Sequence, residues 1–171
     1  MAYQLYFTVE ATKQGKLKGE IATPAHKDKM GGLSFQYAIE APHDPASGQP
    51  SGKRHHSAIT VVKEWGAATP QLFQALVANE TLKKVVFEFF QVSKATGKEE
   101  AFYRVTLDDA TVSAIKQHTG AATESSSSSA KHSTYGASSN ELEAVSFTFQ
   151  KILVEHLLAK TAGADDWKQQ S

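Results

Sequence analysis

Residues Gly52 to Leu76, GKRHHSAITVVKEWGAATPQLFQAL, leave the chain few choices of local structure. Ile59, Thr60, Val61 and Val62 form a stiff, β-favouring run with the composition of a buried strand. Gly66 permits a sharp exit. Thr69 is placed to cap a helix whose first residue is Pro70, where the missing N–H costs nothing. Leu72, Phe73, Leu76 and Val77 fall on one helical face and are expected to pin that helix to a core.

Around this unit the pattern is dominated by strands. Tyr3, Leu5, Phe7 and Val9 alternate with Gln4, Tyr6, Thr8 and Glu10, the period-two signature of a half-buried strand. Further strands are expected at Leu17–Ala22, Leu33–Glu40, Arg54–Lys63, Lys84–Val92, Glu100–Leu107 and Thr111–Gln117, with ATGK at 95–98 as a hairpin tip. In Lys84–Val92 both faces are apolar, which suits a central strand covered twice, or covered once and used at an interface. A last element runs from Leu142 to Leu157, where the apolar parity changes near Gln150–Lys151, as a β-bulge would produce. The expected fold is all-β: a closed β-barrel or two-sheet sandwich of about eight strands, with one short side α-helix and long loops. Residues 1–158 form the domain, and the polar segment 159–171 is expected to be a flexible tail.

Two segments resist regular structure. Ala41–Lys53 holds three prolines and two glycines and exceeds the usual length of a connection inside a domain. Gly120–Asn140, with five consecutive serines at Ser125–Ser129, offers almost nothing to bury and is expected to be a mobile loop.

Composition removes several function classes. Eighteen basic and eighteen acidic residues cancel, so no net field draws the chain to nucleic acid or an anionic membrane. The absence of cysteine excludes disulfide and thiolate chemistry. The N-terminal MAYQLYFTVE lacks the pattern of a cleaved signal peptide, and no apolar run approaches the length of a membrane span. The expectation is a protein made in the cytoplasm, exported, if at all, by a route that reads the folded molecule.

No catalytic pattern emerges. His55 and His56 are neighbours on a strand and point to opposite faces, so they cannot readily share a metal, and HExxH and HxH are absent. The acid pairs Asp108–Asp109 and Asp165–Asp166 read as turn residues that cap backbone N–H groups. GxSxG and the phosphate-binding glycine motifs are missing. No enzyme activity, cofactor or metal is expected. Two-faced strands in a small domain leave more apolar surface than one core needs, which favours assembly.

The collinear stretches LKGEI (Leu17–Ile21), HKDK (His26–Lys29), LSFQYAI (Leu33–Ile39), GKRHHSAITVVK, ATPQLFQAL, VVFEFFQ, YRVTLDDATVSAI (Tyr103–Ile115) and VSFTFQKI (Val145–Ile152) resemble the haemolysin-coregulated protein (Hcp) family. The resemblance extends from Tyr3 to about Glu155. It implies a β-barrel with one side helix, a hexameric ring, and rings stacked into the tube of a type VI secretion system. Sheath and spike proteins and small effectors carried in the ring lumen are the implied partners, and the chain is implied to be secreted. It also implies that the long loop, with Pro42, His43, Asp44, Pro45, Gly48, Gln49, Pro50 and Gly52, reaches toward the adjacent ring. Two departures stand out: the serine-rich segment is longer than the usual connection, and Met30 follows the His26 turn where an aromatic is frequent. The residues alone leave a second reading open, a soluble β-sandwich module that binds a peptide or carbohydrate; a hydrolase with an unrecognised site is a distant third.

Overall fold

The computed structural model describes residues 4–119 and 141–168. The serine-rich segment 120–140 lies outside these residues.

Strand β1 (Gln4–Ala11) keeps the alternation seen in sequence, burying Leu5, Phe7, Val9 and Ala11. The chain folds back through β2 (Gly15–Lys16), which pairs with the end of β1. The strand expected over Leu17–Ala22 is therefore shorter and earlier. Residues 17–21 instead follow Val9 and the turn at 28–29 through single backbone bonds, such as Leu17 N–H to Val9 O at 2.9 Å and Gly19 N–H to Asp28 O at 2.9 Å. A 3-10 turn at Pro24–His26 precedes β3 (Met30–Gly32) and β4 (Ser34–Gln36). The expected strand Leu33–Glu40 is broken: after Tyr37 the chain leaves the sheet as β5 (Ile39–Glu40), which pairs only with β6 (His55–His56). Strand β7 (Ile59–Glu64) buries Ile59, Val61 and Lys63.

Helix α1 spans Thr69–Val77, with Ala68 rather than Thr69 at the capping position. The Thr69 hydroxyl makes no cap; it accepts from Gly66 N–H at 3.0 Å and donates to Glu143 Oε1 at 2.8 Å. The buried face is Ala68, Leu72 and Ala75, with Leu76 half-buried, whereas Phe73 is 57% exposed. The expectation that Phe73 anchors the helix is overturned. In a helix of two and a half turns, the stripe through Phe73 and Val77 is at least as apolar as the one through Ala68, Leu72 and Ala75, so apolarity alone does not pick the buried face. The small alanines select the second because they let the helix approach the sheet closely.

Strands β8 (Leu82–Val92) and β9 (Glu99–Thr119) form the long central hairpin; its tip is the expected one, with Gly97 at φ 66° donating to Ser93 O. The two strands expected at Glu100–Leu107 and Thr111–Gln117 are one. Asp109, at φ 50°, bends β9 without ending it. Strand β10 (Glu141–Thr148) leads to β11 (Lys151–His156), and β12 (Thr161–Asp166) pairs with β11 along its whole length. The segment expected to be a loose tail is thus sheet from Thr161 to Asp166. The parity change at Gln150 is a passage between sheets, since β10 pairs with β7 and the upper half of β9, whereas β11 pairs with Tyr103–Asp108 of β9.

Two antiparallel sheets result. One holds β2, β1, β3, β8, the first half of β9, β11 and β12; the other holds the second half of β9, β10, β7 and β4. The order β2-β1-β8-β9-β10-β7-β4 is an open path among the described residues, so the two-sheet description applies rather than a closed ring of ladders. Between the sheets lies one core, centred on Phe87. Its ring meets Phe7 at 5.5 Å, Phe35 at 5.1 Å and Phe147 at 5.9 Å. Removing a buried phenylalanine of this kind typically costs about 3–5 kcal/mol.

Candidate functional site

The segment 41–53, expected to lack regular structure, is an ordered hairpin continuing β5 and β6. Asp44 N–H donates to Gln49 O at 2.8 Å, His43 and Pro50 form a bridge, and Ser51 N–H donates to Pro42 O at 2.9 Å. The tip closes on Asp44, whose carboxylate accepts from Ala46 N–H at 3.0 Å and from the Ser47 hydroxyl at 2.8 Å. These bonds hold the Asp44 carboxyl below the usual range, the Ala46 backbone bond foremost. Gly48, at φ 70°, supplies the left-handed residue the tip requires. Pro45, Pro50 and Gly52 are exposed along the arm. All eight loop residues singled out from the sequence therefore sit together on one protruding arm. The helix residues Thr69, Pro70, Leu72, Phe73 and Leu76 lie apart from it on α1, with Leu72 in the core and Phe73 exposed.

Sequence reasoning missed how the arm is rooted. Arg54 directs its Nε–H and an Nη2–H at the two carboxylate oxygens of Asp165 on β12. His56 Nε2 lies 2.6 Å from the same carboxylate, and its Nδ1 lies 2.7 Å from the Tyr37 hydroxyl. The His56 ring also contacts Phe149 and Trp167, with centroids 5.4 and 5.3 Å away. The Arg54 guanidinium is the main cause that holds the Asp165 carboxyl low, against the opposing effect of burial. Burial, followed by the charge of Asp165, pushes the Tyr37 hydroxyl up. The one sequence hint was Trp167, the sole large apolar residue of a polar tail.

A second polar group lies on the outer face of the β1–β8 ladder. His26, buried, stacks on Tyr6 at 4.0 Å, packs edge-on against Phe90 and places Nε2 2.9 Å from Glu99. Beside it Lys29 donates to Glu88 at 2.6 Å, and Arg104 reaches the other oxygen of Glu88 at 3.3 Å. Burial raises the Glu88 carboxyl, but the two cations outweigh it and the net direction is down. This explains why the HKDK turn is held so closely over the sheet.

Among known families, residues 6–156 match the model described as "Type VI secretion system effector, Hcp". The chain belongs to the Hcp family. A curated relative, the "Major exported protein" of Pseudomonas aeruginosa, is 31% identical over 177 aligned residues, covering 98% of this chain and 97% of that protein. Among solved structures, one described as "Crystal structure of Hcp protein" superposes with a TM-score of 0.80 at 26% identity, over 97% of this chain and all of the other. "Secreted protein Hcp3 from Pseudomonas aeruginosa" superposes with a TM-score of 0.75 at 26% identity, over 99% of this chain. The fold, the side helix and the central hairpin described above are therefore those of an Hcp protein.

Proposed function

We propose that this Hcp-family chain is the tube subunit of a type VI secretion system. Copies close into a hexameric ring, and rings stack through the 39–56 arm. The tube is exported through its sheath behind a spike, carrying small effectors in the lumen. The observation that carries the reading is the arm itself: a long hairpin, largely exposed beyond its root, held in a defined conformation although it adds no residue to the hydrophobic core. Order in an exposed segment costs conformational entropy, and contact with a neighbouring ring is a use that offsets it. No catalytic step is part of this role.

Mass in solution tests it. Static light scattering should report about six copies of the 18.5 kDa chain, as closed cyclic symmetry of one repeated interface requires. A stable monomer at high concentration would overturn the reading in favour of a peptide- or carbohydrate-binding module. Replacing Asp44–Gln49 by Asn-Gly, a two-residue turn that suits a hairpin, should preserve the ring and abolish stacking and export.

A further inference from the structure

We propose that Asp165 and Trp167 act as a clamp that sets the direction in which the 39–56 arm leaves the body. This positioning role rests on the stacking function proposed for that arm.

The arm cannot orient itself. Strands β5 and β6 share only two residue pairs, Ile39 with His56 and Glu40 with His55, and neither strand joins the two large sheets. An isolated two-stranded hairpin is marginal in water, and this one has no apolar face to press against the core. Its direction must come from contacts at its root.

Apart from the two Ala38–Ser57 hydrogen bonds that extend the ladder by one step, those contacts converge on β12 and the Trp167 that follows it. The two-pronged Arg54–Asp165 pair fixes the guanidinium plane as well as its position, which a single hydrogen bond would not do. With Nε2–H of His56 donating to Asp165, Nδ1 is left as the acceptor for the Tyr37 hydroxyl, so both ring nitrogens are tied. The His56 side chain is 3% exposed, closed in by Phe149 and Trp167. The anchor is itself rigid. Strand β12 is paired to β11 from Thr161 to Asp166, and Trp167 N–H donates to Gln150 O at 3.0 Å. Asp166 receives Gln150 Nε2–H at 2.9 Å and lies 3.4 Å from Lys151 Nζ. The arm's root is thereby bolted to a strand that is bolted to the sheet.

Hydrogen–deuterium exchange on the full-length Asp165→Asn variant, with native mass spectrometry for ring size and negative-stain microscopy for stacking, tests the clamp. The substitution keeps the side-chain size and removes the charge. Exchange at 39–56 should accelerate about tenfold or more, the factor a hydrogen bond to a charged group is worth, while exchange in β7 and β8 and the ring mass stay unchanged. Arg54→Gln breaks the same pair from the arm's side and should give the same local pattern; Arg54→Lys, which keeps the charge but not the fork, should recover only part of the protection. Wild-type exchange in the arm of both Asp165→Asn and Arg54→Gln overturns the clamp. So does general loss of the fold in both, because a clamp on the arm leaves the core intact. An arm that loosens while rings stack as before supports the clamp and counts against the stacking function instead. Lost stacking with unchanged exchange overturns the clamp alone.

Discussion

Lys63 on β7 and Glu143 on β10 are direct cross-strand partners, with Nζ 2.9 Å from Oε1 and neither side chain exposed to water. The pair is saturated rather than bare. Lys63 also donates to Glu64 O at 2.6 Å, and Glu143 also accepts from the Thr69 hydroxyl at 2.8 Å and from Gln117 Nε2–H at 3.0 Å. Through Thr69, the first turn of α1 is tied to the sheet by a polar contact.

Removing one partner should therefore be far worse than removing both. Glu143→Leu strands an ammonium in the interior and is expected to cost about 3–5 kcal/mol, whereas the double variant Lys63→Met/Glu143→Leu should return close to wild-type stability. Urea denaturation of the two variants checks this. Equal losses in both would show that the hydrogen bonds, not the charge balance, dominate.

The helix offers a sharp contrast between neighbours. Leu72 is fully buried and Phe73 is 57% exposed, so Leu72→Ala should cost about 2–5 kcal/mol while Phe73→Ala stays within about 0.5 kcal/mol. Thermal melting of the isolated protein is the measurement. A normal melting temperature with a smaller assembly for Phe73→Ala would assign that side chain to a subunit contact.

Gly19 is needed for want of space. A Cβ there would lie 2.1 Å from the carbonyl oxygen of Lys29, which is backbone and cannot turn aside. Gly19→Ala should lift the 26–29 turn from the sheet at a cost of about 1–3 kcal/mol, or several degrees of melting temperature in a chain of this size. Gly31→Ala, where the nearest atom is Ile21 Cδ1 at 3.6 Å, is the matched control and should be mild.

Acid should weaken the arm's root. The Asp165 carboxyl is held below its ordinary 3.8, chiefly by hydrogen bonds from Arg54. A depressed carboxyl contributes stability that is fully present above its ordinary value and is lost as pH falls through the lower folded one. The stability difference between wild type and Asp165→Asn should thus persist as the pH falls to that ordinary value and shrink in more acid solution. Melting curves on both sides of that value would refute the linkage if the difference persisted in acid.

What sequence could reveal depended on whether local composition carried the structure. Strand β1 was legible because its own alternation encodes which side faces the core. The helix was legible through Pro70, but its buried face was not, since the exposed stripe through Phe73 and Val77 is at least as apolar as the buried one with its alanines. Asp108–Asp109 looked like a turn between two strands because a left-handed aspartate usually ends one; here the chain bends at Asp109 and continues. Strand β12, TAGADD, has almost no β-favouring residue and exists because the edge of β11 was free to pair. The arm was visible as a proline- and glycine-rich gap. Its anchor was not, because Arg54 and Asp165 lie 111 residues apart and no local pattern links them.

The bend in β9 has a consequence for how the molecule comes apart. One continuous strand supplies ladders to both sheets, pairing with β8 as far as Ala110, with β11 below Asp109 and with β10 from Thr111 onward. There is accordingly no seam along which one sheet could melt while the other stands, as there would be between two separately closed layers. Thermal disruption of either sheet strips β9 from the other, so unfolding of the body should be a single all-or-none transition.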